Sequence, residues 1–144
     1  MKQFGRLLTA MVTPFTADGR VDYAQAKKLT KALLDSGSEG VVVSGTTGEC
    51  PTLRNEEKLR LFSEVKSAAG KKAAVIAGSG SYCTEASIAL TREVEKTGVD
   101  GCLVVVPYYQ RYVGVEVHLL QDGLADDRVL LHLPAFFERQ RTRL

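Results

Sequence analysis

A chain of 144 residues, 44% hydrophobic and 25% charged, has the composition of one ordinary globular domain and not that of a disordered or fibrous chain. Its 19 Lys and Arg against 17 Asp and Glu leave a net charge of +2 without a basic stripe, which argues against a nucleic-acid partner. Apolar runs such as 102–107 are too short to cross a bilayer, no cleavable leader pattern opens the chain, and three cysteines without C-x-x-C spacing suit neither a disulfide framework nor a zinc cluster. A cytoplasmic protein with no membrane contact, no metal and no organic cofactor is expected.

The chain alternates strand and helix signals with a period of about thirty residues. Residues 7–12 form a first apolar strand closed by Thr13-Pro14, and Asp22 with Gln25 is an N-cap pair for a helix that stops near Gly37 and buries Leu29, Ala32 and Leu33. Residues 40–43 are a valine-rich second strand whose lack of polar alternation suits a parallel sheet covered by helices. Asn55 then caps a second helix, with Glu56 and Glu57 favourable in its first turn, Leu59, Phe62, Val65 and Ala69 facing inward and Gly70 as its stop. Strand three spans 73–77, a third helix runs from Thr84 to Gly98, and strands four and five cover 101–106 and 129–133.

Successive units of this kind require right-handed crossovers and a parallel sheet. An open doubly wound sheet and a (β/α)8 barrel both begin this way. Length alone favours the open sheet, because a full barrel needs roughly 250 residues.

Motifs sit at the strand ends, where parallel α/β folds bind ligands. After Val41-Val42-Val43 comes Gly45-Thr46-Thr47-Gly48, with two glycines allowing close backbone approach and two hydroxyls beyond the strand. Read on its own, it is equally a tight βα loop that caps the next segment. Gly78-Ser79-Gly80 lacks the third glycine of a dinucleotide loop, and the GTTGE turn lacks the lysine of a P-loop. Cys102 reads as a small core residue. Cys50 lies beside the turn without a histidine to activate it, since the only histidines are His118 and His132. Tyr108-Tyr109 closes strand four and alone reads as aromatic packing.

The stretches TAMVTPF with DGRVD, VVVSGTTGECPTLRNEEKLRLF, AGSGSYCTEA and VVVPYYQ, in this order and spacing, resemble the dihydrodipicolinate synthase and N-acetylneuraminate lyase family over residues 1–110, leaving 111–144 divergent. The resemblance implies α/β architecture, here about five parallel strands of a partial (β/α)8 TIM barrel forming the N-terminal part of one domain. It implies lyase or synthase chemistry on pyruvate through a Schiff base on a lysine of a later strand. GTTGE is the form of the synthase branch, whose second substrate is the aldehyde aspartate semialdehyde, in lysine biosynthesis. Carried over by position, Thr46 and Tyr109 belong to a proton relay, and Thr47, with the turn of Gly45 and Gly48, binds the pyruvate carboxylate. Tyr109 acts across a dimer interface in that family, so a homo-oligomer is expected.

Departures accompany the resemblance. Tyr82 replaces the usual asparagine, Leu131 stands where the family has a tyrosine, and Phe136 replaces the arginine that grips the second substrate's carboxylate. None of the nine lysines is expected on a strand, so the sequence reads as truncated before the imine-forming residue and inactive alone. A 2-keto-3-deoxy sugar acid or 4-hydroxy-2-oxoglutarate aldolase, a non-catalytic half-barrel, and an unrelated open α/β binding domain are the alternatives.

Overall fold

The computed structural model describes residues 4–105 of the chain. Four strands, β1 (Leu8–Ala10), β2 (Gly40–Val43), β3 (Ala74–Gly78) and β4 (Gly101–Leu103), alternate with helices α1 (Tyr23–Asp35), α2 (Asn55–Ala69) and α3 (Thr84–Glu95). Every pairing is parallel, and spatial order follows chain order, β1-β2-β3-β4. A doubly wound sheet reverses its order at a switch point, whereas a monotone order is that of a (β/α)8 barrel. The fold is therefore a partial TIM barrel and not the open sheet that length alone favours. The expected fifth strand, 129–133, lies outside the described residues, as does Val106 of the expected fourth.

Alternation along the strands separates two faces. Val41, Val43, Val75 and Ala77 join the core made with Ala26 of α1, Leu61, Phe62 and Val65 of α2, and Leu90 and Val94 of α3. One helix layer thus covers one sheet face. Gly40 is required by the sheet: a Cβ there would stand 2.5 Å from the Ala74 carbonyl oxygen and 2.6 Å from Leu8 Cδ2.

The helices differ in detail from the sequence expectations. Asp22 caps α1 as expected, with the Gln25 N–H donating to its Oδ1 at 2.9 Å. Ala32 is exposed, however, and Ala26 and Thr30 are the buried residues of that helix. In α2 the N-cap is Arg54, and Asn55 is already helical. Glu57 explains the shift, because its Oε2 accepts the Arg54 N–H at 2.9 Å while its Oε1 holds the Arg54 guanidinium at 3.0 Å. The buried face of α2 is Lys58, Leu61, Phe62, Val65 and Ala69, with Leu59 only partly covered. Gly70 closes the helix at φ +64°. The third helix ends at Glu95, three residues short of Gly98.

A polar clip ties α2 to the strand entries. Lys66 Nζ donates to Asp100 Oδ2 at 2.6 Å, the same oxygen accepts the Val75 N–H at 2.9 Å, and the Asp100 N–H donates to the Val75 carbonyl at 2.9 Å.

Candidate active site

The chain reverses direction immediately after β2. Ser44 takes a left-handed φ of +53° and Glu49 one of +57°, and among the described residues these are the only non-glycine residues with positive φ. They bracket the turn from Gly45 to Gly48. Within it the Gly48 and Cys50 N–H groups donate to the Gly45 carbonyl at 3.0 and 3.3 Å, and the Glu49 N–H donates to the Thr46 carbonyl at 3.1 Å. The short helix Cys50–Thr52 follows.

Two neighbouring strand ends brace this turn. Thr13, buried just beyond β1, donates its hydroxyl to the Gly48 carbonyl at 2.7 Å. At the end of β3, a Cβ on Gly78 would collide with the Ser44 carbonyl. A Cβ on Gly48 would lie 3.0 Å from the Ser44 nitrogen and 3.1 Å from the Met11 carbonyl oxygen, both backbone atoms unable to yield. On Gly45 it would meet nothing nearer than Val42 at 3.6 Å. The close approach thus belongs to Gly48 and Gly78, and Gly45 is not sterically demanded.

This bracing leaves Thr46 and Thr47 exposed at the carboxyl end of the sheet. Among the described residues, neither hydroxyl makes a hydrogen bond, and neither backbone N–H donates to one. Two N–H groups and two hydroxyls held on a rigid turn are suited to receiving the oxygens of a small anion, because such fixed donors need little reorganisation. Tyr109, Leu131 and Phe136 lie outside the described residues.

The second glycine-rich loop has another occupation. Ser79 is fully buried, and its hydroxyl accepts from Thr91 at 2.8 Å, while the Ser79 and Gly80 N–H groups donate to the Leu103 carbonyl. Its donors serve packing, which accounts for the incomplete nucleotide pattern. Ser87 continues the anchoring by accepting the Ser81 N–H at 2.9 Å, and Tyr82 projects outward, 69% exposed.

Cys50 and Cys102 are both half-buried, so Cys102 is only partly the core residue expected, although it packs against the core cluster. Burial pushes the Cys50 thiol up, with the positive charge of Lys58 acting in the opposite direction. Lys58 itself is 8% exposed and is the only charged residue buried among those described. The sequence periodicity missed it, because an inward-facing lysine breaks the apolar pattern that marks a helix face. Among the described residues no group of three or more His, Cys, Asp or Glu side chains could hold a metal, and no helix is long and apolar enough to cross a membrane.

Comparison with known proteins places this geometry. The chain is 62% identical over 109 residues to a 4-hydroxy-tetrahydrodipicolinate synthase of Moorella thermoacetica, covering 76% of this chain and 37% of that protein. A synthase of the same name from Dehalococcoides mccartyi is 60% identical over 111 residues, with 77% and 37% covered. Among solved structures, a Bacillus anthracis dihydrodipicolinate synthase superimposes with a TM-score of 0.76 at 48% identity, covering 78% of this chain and 39% of that one. An Acinetobacter baumannii dihydrodipicolinate synthase solved in complex with pyruvate matches with a TM-score of 0.73 at 35% identity, covering 77% and 38%. The chain thus spans little more than a third of the length of these relatives. The dihydrodipicolinate synthetase family model matches residues 3–119, most of the 144, and the chain belongs to that family.

Proposed function

We propose that this chain carries the pyruvate-receiving part of a 4-hydroxy-tetrahydrodipicolinate synthase active site, a carbon-carbon bond-forming site that condenses pyruvate with an aldehyde. The observation that carries the reading is the braced turn at the end of β2, whose Thr46 and Thr47 present N–H and hydroxyl donors that no described residue engages. Naming of the relatives supports it, and so does the pyruvate complex of the Acinetobacter baumannii protein.

In this reading Thr47 and the turn's N–H groups hold the carboxylate of pyruvate. Thr46 passes a proton in concert with Tyr109, lent across an interface between two copies of the chain. A phenol, with an ordinary pKa near 10, shuttles protons while neutral at rest. Aspartate semialdehyde is the second substrate in the synthase reading. Phe136, in place of an arginine, favours instead the sugar-acid or hydroxy-oxoglutarate aldolases as a second reading, because an apolar ring cannot form the fork of hydrogen bonds a carboxylate needs.

The chain by itself is proposed to be inactive. An imine-forming amine must be available in its neutral form at working pH, which desolvation on a strand or in a pocket achieves. Lys27, Lys28 and Lys31 lie on α1, Lys58 and Lys66 on α2, Lys71 and Lys72 in the turn before β3, and Lys96 caps α3. Carboxylate binding and proton relay act on an imine that no strand lysine here is available to form.

Intact mass after incubation with pyruvate and sodium borohydride tests this. The expected result is no stoichiometric adduct, together with saturable pyruvate binding detected at the Thr46 and Thr47 amides by NMR. A single modified lysine with turnover of aspartate semialdehyde or of a 2-keto-3-deoxy acid would overturn the inactivity. Absence of any pyruvate response at the turn would overturn the site.

A further inference from the structure

We propose that residues 4–6 form a strap across the N-terminal end of the partial barrel, with the Phe4 ring as its plug, and that this strap holds the start of β4 against β3. The contacts follow one another along the chain. The Glu39 N–H, immediately before β2, donates to the Leu7 carbonyl at 2.9 Å, and the Glu39 carboxylate turns back to accept the Arg6 N–H at 2.6 Å. Gly5 passes so close to that side chain that a Cβ there would collide with the Glu39 carboxylate, and its φ of +89° is one that residues with a Cβ rarely adopt. At the preceding residue the chain has already reached β4, where Phe4 Cζ lies 3.3 Å from the position a Cβ on Gly101 would take. Since β2 and β4 are two strand spacings apart, about 10 Å in a flat sheet, the segment crosses β3 to make both contacts.

The ring enters the sheet face opposite the helix layer. Val75 and Ala77 of β3 belong to the cluster packed against the helices, so Ala74 and Ile76, which alternate with them, point to the other side. Both are nonetheless buried, Ile76 down to 1% exposure. Ile76 Cδ1 lies 3.2 Å from the same Cβ position on Gly101, so Phe4 and Ile76 converge on the space that a side chain there would fill. Backbone and shape anchor the strap, not charge: the Arg6 side chain is 95% exposed and its Nε stands 3.8 Å from the Glu39 carboxylate, a pair that contributes little. What the plug secures is a strand of only three residues, held to β3 by few hydrogen bonds, and the Asp100 N–H that donates to the Val75 carbonyl is next to Gly101.

Amide hydrogen exchange on the full chain tests the strap. The Asp100 N–H reports the start of β4, and the Met11 N–H, which donates to the Val42 carbonyl at the far end of β1, reports the rest of the sheet. Phe4→Ala and Gly5→Ala are each expected to speed exchange at Asp100 by about tenfold while Met11 keeps its wild-type rate, because the opening of one strand end is a local event. Gly5→Ala is the sharper variant, since Gly5 lies against Glu39 and the substitution leaves the Phe4 ring itself unchanged. Phe4→Leu, still apolar, should keep most of the protection. Wild-type exchange at Asp100 in both alanine variants would overturn the strap. So would acceleration in Phe4→Ala alone, which would make the ring an ordinary packing contact, and so would equal acceleration of Asp100 and Met11, the mark of a general loss of stability. None of these outcomes bears on pyruvate at the turn after β2, so the strap and the proposed function stand or fall separately.

Discussion

The proposed role of Thr47 can be tested apart from folding, because its side chain is exposed and bonded to nothing among the described residues. Thr47→Val keeps the shape and removes the hydroxyl, so melting temperature should stay unchanged while pyruvate binding weakens about tenfold, the usual loss for a hydrogen bond to a charged group. Calorimetric titration against pyruvate checks it. Gly78 gives the opposite signature. Its missing Cβ is the space occupied by the Ser44 carbonyl, so Gly78→Ala must push apart two adjacent strand ends, and chemical denaturation should show a loss of roughly 1–3 kcal/mol with disturbed turn amides. The contrast explains what was legible at this scale. Thr46 and Thr47 stand out because two hydroxyls after a run of valines mark a strand end. The need for Gly78 and Gly48, and the dispensability of Gly45, depends on which backbone lies opposite, and that is fixed only when strands far apart in sequence are paired.

Elements were legible where local chemistry and tertiary packing agree. Valines 41–43 and the Asp22 cap fall where the sequence places them, since β-branched runs and side-chain caps act within a few residues. Strand ends were not, and helix phase was legible only in part: Phe62, Val65 and Ala69 are buried as expected. Leu59, expected inward, is only partly buried against the core, while Lys58 and Leu61 are buried on α2, which packs on both α1 and the sheet. Ion pairs fix that arrangement at the surface: Glu64 on α2 meets Lys27 of α1 at 2.8 Å, and Arg60 lies 4.0 Å over the Tyr23 ring. The hydrogen bond from Lys27 holds the Glu64 carboxyl below its ordinary range. A depressed carboxylate pKa contributes stability that is fully present above the unfolded value, about 4.3, and is lost as pH falls through the folded value. Glu64→Gln should therefore melt slightly below the wild type at neutral pH, and the difference should shrink as the solution is acidified below the ordinary carboxylate range. It should also shrink in high salt, because the pair is partly exposed to solvent. Thermal melts from pH 7 to pH 3 measure it, and a gap that widens on acidification would contradict the pairing.

At the level of the whole molecule, the four strands form an arc with two ends. Among the described residues β1 pairs only with β2 and β4 only with β3, so the outer row of N–H and C=O groups of each has no described strand beside it, and such edges are templates for further pairing. Leu7 and Val12, flanking β1, are about half exposed, as the edge of an arc would be. The relatives supply the expected complement, since this chain corresponds to 37% of the Moorella thermoacetica synthase at 62% identity. With 62% identity over 109 residues, the remainder of that synthase is the partner expected to dock against β1 and β4. Co-expression of the two polypeptides, only one carrying an affinity tag, is expected to yield a 1:1 species. Pyruvate and borohydride should then label a lysine of the added polypeptide and none of the nine in this chain. Thr47→Val in this chain should lower that labelling without breaking the complex, because carboxylate binding and strand docking rest on different groups. Co-purification with no labelled lysine would show that the arc closes without completing the site, and would overturn the assignment of the braced turn to pyruvate.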